Sequence, residues 1–200
     1  MCVEAETMAG ETAAARVRLA ELERRHSNDP TALRRAAETY THLGAHAEAD
    51  RCAQAARALR PDDLDGLFQA ASCALAMGRL DEAEADLDEL IARRPSDFDA
   101  YYNRATLRKQ TPQRNHVAAM ETALAALENK PPPALSYALA KEYEDLGEIE
   151  RSFDHLERGA AARRRTLPYD VQADVGAMQD IAHQFGTAFF ARDAEGFADD

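Results

Sequence analysis

The sequence predicts an all-α fold: a right-handed superhelical solenoid of antiparallel helix pairs, closed by a C-terminal capping helix. Three observations predict it. Gly10, Gly44 and Gly78 stand 34 residues apart, and the chain around each repeats one helical pattern. Small and large apolar residues recur at fixed offsets from these glycines. Prolines then close the two complete units at one common offset.

The offsets justify each element in order. Five residues after the glycines stand Ala15, Ala49 and Ala83, small residues where two helices must cross closely. Eleven residues before Gly44 and Gly78 stand Leu33 and Leu67, large enough to plug the space between helices. Ala36 and Ala37, Ala70 and Ala71, then Tyr40 and Ala74 continue the inward stripe of each first helix. The glycine suits the left-handed position that ends that helix. Pro61 and Pro95, seventeen residues after Gly44 and Gly78, end the second helix and disfavour helix at the preceding residue. Asp29, Asp62 or Asp63, and Ser96 or Asp97 are suitable N-caps. Arg24-Arg25, Arg60, Arg93-Arg94 and Arg163-Arg164-Arg165 fall at second-helix ends, where positive charge complements the helix dipole; that explains them better than a nucleic-acid patch does.

A 34-residue helix–turn–helix unit with these small and large positions resembles the tetratricopeptide repeat. Later units are looser. Gly78 plus 34 lands on Pro112, which is expected to begin a second helix after a Thr111 cap. Gly147 follows 35 residues on, so the third unit holds one extra residue. Its plug is Tyr101, and Val117, Met120, Leu124 and Leu127 give its second helix an apolar face. Leu139, Ala140, Tyr143, Gly147, Ser152 and Gly159 define the fourth unit. The predicted organisation is a partial N-terminal repeat over residues 1–29, an array of about four repeats over 30–165 with the third degenerate, and a capping helix with its tail over 166–200. In that last segment Thr166-Leu167-Pro168-Tyr169 breaks the helix and Asp170 caps a new one. Val171, Val175, Met178, Ile181, Phe185 and Phe189 form its apolar stripe, expected either to cover the last exposed face of the array or to dock against a following domain. Ala194 to Asp200 reads as a frayed tail or the start of a linker.

Composition agrees with an all-α chain expected in the cytoplasm. Ala, Leu, Glu and Arg dominate, Trp is absent, and glycine occurs only nine times. No stretch has the apolar length of a membrane helix and no signal-peptide pattern opens the chain. Cys2, Cys52 and Cys73 are odd in number and widely spaced, so they read as reduced packing residues. A net charge of −12 repels phosphate backbones and anionic membranes, which excludes nucleic acid and membrane as the main partners.

Motifs for catalysis are missing. The six histidines form no His-Glu-x-x-His pair, and Gly44 separates His42 from His46 at a turn. No glycine-rich phosphate loop and no nucleophile elbow occurs. The carboxylates Asp81-Glu82, Glu84, Asp86 and Asp88-Glu89 are expected on a mostly solvated outer face of a second helix. No catalytic, cofactor-binding or metal residue is therefore assigned, and no cofactor is expected.

Function then rests on surfaces, and in stacked pairs the first helices line the concave side. Projection away from the packing stripe gives Arg34, Glu38, Phe68, Gln69, Ser72, Tyr102, Asn103, Thr106, Tyr137 and Lys141 as the candidate lining. Thr31, Thr41, Asp65, Leu75, Lys109 and Glu144 flank them. Phe68, Tyr102 and Tyr137 recur at one place in successive units. Such rings either grip an extended peptide or an amphipathic helix, or pack between neighbouring first helices. Co-chaperone tetratricopeptide domains hold a C-terminal carboxylate with a Lys–Asn clamp. The corresponding places here hold Arg34, Glu38, Gln69, Asp99 and Asn103, and Glu38 and Asp99 would repel a carboxylate.

A closer resemblance covers roughly residues 98–190. Leu107-Arg-Lys-Gln-Thr-Pro, Asn115-His-Val-Ala-Ala-Met, and Tyr137-Ala-Leu-Ala-Lys-Glu-Tyr-Glu-Asp-Leu-Gly147 resemble the degenerate repeats of bacterial tetratricopeptide–sulfotransferase proteins. Arg151-Ser-Phe, Gly159-Ala-Ala-Ala-Arg-Arg and Tyr169-Asp-Val extend the likeness. In that family a downstream domain transfers sulfate from 3′-phosphoadenylyl sulfate with a Pro-Arg-Ser-Gly-Thr-Thr-like loop. That loop is absent from this sequence, so the resemblance carries no catalytic or cofactor residue across. Two functions follow: a non-catalytic interaction scaffold that binds a protein or peptide segment in its groove, or the non-catalytic arm of a sulfotransferase whose catalytic domain lies outside this chain.

Overall fold

The computed structural model describes residues 12–127 and 131–190 of the chain. Gly10, Cys2 and the predicted tail from Ala194 to Asp200 lie outside the described residues. The chain divides into two units, residues 1–162 and 163–200.

The described helices of the first unit begin with α1 (Thr12–Arg25), the second helix of the partial repeat. The pairs α2 (Pro30–His42) with α3 (His46–Leu59) and α4 (Leu64–Ala76) with α5 (Leu80–Arg93) follow. Then come α6 (Phe98–Thr106), α7 (Val117–Ala125), α8 (Pro133–Asp145) and α9 (Ile149–Thr166), whose last residues pass into the second unit. The architecture is an all-α helical repeat solenoid in which α2 packs on α3, α3 on α4, α4 on α5 and α5 on α6.

The punctuation of the sequence becomes geometry directly. Gly44, Gly78 and Gly147 adopt φ of 67°, 75° and 80°. A Cβ at any of the three would meet nothing within 4 Å, so the backbone angle alone requires glycine there. Beside each glycine a Schellman bond closes the first helix: the amides of Ala45, Arg79 and Glu148 donate to the carbonyls of Tyr40, Ala74 and Tyr143, each at 2.9 Å. At the starts, Asp29 accepts from the amides of Thr31 and Ala32, Asp63 from Asp65, and Asp97 from Ala100. Of the alternative caps, Asp63 and Asp97 are the ones used.

The apolar offsets meet in the core. Ala15, Ala49 and Ala83 are fully buried at the helix crossings, and Leu33, Leu67 and Tyr101 are buried plugs. An alanine-rich cluster fills the first units, with Cys52 and Cys73 in it as free thiols. Burial pushes the Cys52 thiol up to about 12, and Cys73 upward as well. A second cluster around Leu87, Leu90, Met120, Leu135, Leu139 and Tyr143 continues the core into the fourth unit. There the sizes are exchanged: Ser136 stands at the plug offset and Leu139 where earlier units have alanine. Gly159 is required by contact, since a Cβ on it would come within 2.8 Å of the Tyr137 ring.

The third unit corrects the sequence reading. Pro112 does not open a helix. Thr111 and Arg114 exchange backbone hydrogen bonds across it, making a tight turn, and α7 begins only at Val117. The loop from Leu107 to His116 is held by side chains instead of a hairpin. The Gln110 amide donates to Asp145 at 2.8 Å, and the His116 amide to buried Glu142 at 2.6 Å.

On the acidic face of α5, Asp81, Glu82, Asp88 and Glu89 are exposed as expected, and two carboxylates correct the reading. Glu84 and Asp86, expected mostly in solvent, are buried. Buried Arg104 on α6 pairs with Glu84 at 2.6 Å and Asp88 at 2.7 Å. Arg108 and Arg114 from the loop converge on the same Glu84. Asp86 receives Arg57 from α3 at 2.7 Å.

In the second unit, Asp170 caps α10 (Val171–Gln184) by accepting from the Gln172 amide. A short turn of helix, α11 (Thr187–Phe190), follows. The Arg164 guanidinium donates to the Tyr169 carbonyl, bridging the break between helices. No residue of α10 is buried, and the whole predicted stripe from Val171 to Phe189 is exposed.

Candidate binding groove

An open groove of about 320 Å³ lies across the first helices of successive units. Arg34 and Glu38, one turn apart on α2, form one wall. Phe68 and Gln69 on α4 form the floor, with Asp65 beside them, and Asp97 and Asp99 at the start of α6 form the far wall. Four of the ten predicted lining residues therefore meet: Arg34, Glu38, Phe68 and Gln69. So do four of the five positions compared with the carboxylate clamp, since Asp99 joins them.

The remaining predicted residues lie elsewhere. Ser72 donates its hydroxyl to the Phe68 carbonyl at 2.9 Å, and Thr106 donates to Tyr102 at 3.0 Å, so both bond their own helices. Lys141 is drawn to Asp145 at 2.6 Å. Tyr137 is half-buried against Gly159, and Asn103 is half-buried on α6. Tyr102 keeps an exposed ring, at 40 %. The three aromatics thus take different positions. Phe68 packs in part against the core and also lines the groove.

Arg94, the cap of α5, fixes the far wall by pairing with Asp65 at 2.9 Å and Asp97 at 3.3 Å. Sequence reasoning assigned Asp97 only to capping and Arg94 only to the helix dipole. The missed signal is a spacing of 29 residues, which places Arg94 opposite Asp65, Arg79 opposite Asp50 and Arg57 opposite Asp86. Among the described residues, Glu38 and Asp99 have no cation partner, and Arg34 has no carboxylate partner. One of the α6 amides that would attract an anion is already engaged, because Asp97 accepts from Ala100 at 3.1 Å.

No protein-family model matches this chain, and no curated protein matches it. Solved structures do. A crystal structure of MamA superposes with a TM-score of 0.62 at 13% identity, covering 84% of this chain and 98% of that one. MamA from Desulfovibrio magneticus RS-1 gives 0.60 at 18% identity, covering 82% and 92%. A tetratricopeptide repeat protein from Parabacteroides merdae ATCC 43184 gives 0.50 at 19% identity, covering 86% and 64%. At these identities the likeness shows the fold alone, a tetratricopeptide-type helical repeat.

Proposed function

We propose that this chain is a non-catalytic interaction scaffold that binds a segment of a protein partner along the concave side of its repeats. The observation that carries this reading is the groove around Phe68, where side chains from three successive first helices meet and, among the described residues, Arg34, Glu38 and Asp99 have no charged partner. Repeat solenoids present such concave surfaces because each unit contacts only its neighbours, leaving one side of the stack open. The test is site-specific photocrosslinking in the source cells. A photoreactive residue at Phe68 should give an adduct of discrete mass, and one at exposed Glu89 on the α5 surface should not. Equal adducts at both positions would sink the reading.

One observation favours a second reading, the arm of a 3′-phosphoadenylyl-sulfate-dependent sulfotransferase. Six residues after Gly44 and Gly78 stand Asp50 and Glu84, carboxylates that receive arginines of the next unit. The same offset in the fourth unit holds Phe153, 63% exposed, with Ile149 and Leu156 exposed beside it. An apolar surface there suits docking against a further domain. Under this reading the chain still binds without catalysing.

A further inference from the structure

Resting on the groove reading, we infer that the occupant is a basic segment: an extended peptide whose Lys or Arg side chain lies over Phe68, between the Glu38 and Asp99 carboxylates. Three features lead to that chemistry. The groove is lined by four carboxylates against one guanidinium, that of Arg34. Arg94 engages Asp65 and Asp97, which leaves Glu38 and Asp99 as the unpaired anions, one on each side of the aromatic floor. A cation above a phenyl face and within reach of a carboxylate gains from both, while an anionic segment would meet two unpaired negative charges. The helix N-termini that could offset such repulsion are partly occupied: Asp63 of this chain accepts from the Asp65 amide of α4, and Asp97 from the Ala100 amide of α6.

The remaining polar groups assign a second feature of the segment. Arg34 is a lone guanidinium on the same wall as Glu38, one turn away, and Gln69 lies on the floor. An extended chain beside them offers backbone carbonyls to Arg34 and Gln69 while its cationic side chain turns toward Phe68. The occupant is thus read by one positive side chain and by its main chain, with no need for a free C-terminal carboxylate.

The experiment is selection of binders to the full chain from a random twelve-residue peptide library with amidated C-termini, followed by affinity measurement on the enriched sequences. The expected result is enrichment of Lys and Arg over the naive library and an affinity that falls steeply with salt. Glu38→Lys with Asp99→Asn should weaken binding at least tenfold at little cost in thermal stability, because both side chains are exposed. Phe68→Ala should weaken it too, and Phe68→Leu keeps the core contact if the alanine variant is unstable. Peptides that depend on Phe68 but are neutral or acidic would overturn the basic-segment inference and leave the groove reading standing. Binders indifferent to every groove substitution, or a library that yields none, would overturn both.

Discussion

At the residue scale, His155 shows how burial decides the behaviour of a side chain. Its ring stacks on Tyr143 at 5.4 Å, and its Nε2 lies 3.3 Å from a Glu121 oxygen that also accepts from the Tyr143 hydroxyl. Burial pushes the imidazole below its ordinary value of 6.5 against the opposing pull of Glu121, while nearby Arg158 and Arg151 push the same way as burial. The folded chain therefore favours the neutral imidazole more than the unfolded chain does. As pH falls below that ordinary value the unfolded chain takes up the proton first, so stability is full above it and declines with acidification. Thermal midpoints from about pH 7.5 to about 5.5 should fall more for the wild type than for His155→Gln; parallel curves would refute this. Residues such as Gly44, Gly78 and Gly147 are legible from sequence because a left-handed backbone position excludes almost every other residue. His155 is not, since its environment is made by α7 and α8, which no local rule brings together.

At the scale of elements, the loop after α6 replaces a hairpin with a charged cluster. Arg104 carries it: fully buried, it ties Glu84 and Asp88 of α5 to Gln110 of the loop. Removing one member of a buried pair strands the other charge, at a cost of roughly 3–5 kcal/mol. Arg104→Met should lower urea-unfolding stability by less than that, since Arg108 and Arg114 still face Glu84, and Glu84→Gln should also destabilise, leaving three arginines around a neutral amide. The combined variant should lose less than the sum of the two; strict additivity would mean that the groups act independently. The first and second units are legible because their period repeats at 34 residues, fixing cap, plug and crossing together. The third is not, because Pro112 fits a helix start locally and only the long-range pull of Asp145 and Glu142 makes it a turn. The groove was half legible for a similar reason. Projection from a helix wheel finds Arg34, Glu38, Phe68 and Gln69, but it cannot see that Ser72 and Thr106 satisfy themselves on their own backbones.

At the scale of the whole molecule, stability is unevenly spread. The first unit has two buried apolar clusters, whereas α10 in the second buries nothing. A fourteen-residue helix that buries no side chain is marginal in water. Amides of residues 171–184 should exchange with deuterium within seconds, and those of residues 67–91 should be protected for orders of magnitude longer. Comparable protection in both stretches would mean that α10 is covered in solution, as a cap, by a second copy or by another partner. The contacts between units also bear on how such a chain can be rebuilt. Arg57 of the first complete unit meets Asp86 of the second, but the first unit has Cys52 where the second has Asp86, and the second has Ile91 where the first has Arg57. A tandem duplication of the first unit would set a guanidinium against a buried thiol, and exchanging the two units would separate acid from base. The repeats share one backbone plan, yet each is addressed to a particular neighbour, so this array can be lengthened only by writing new junctions and not by copying old ones.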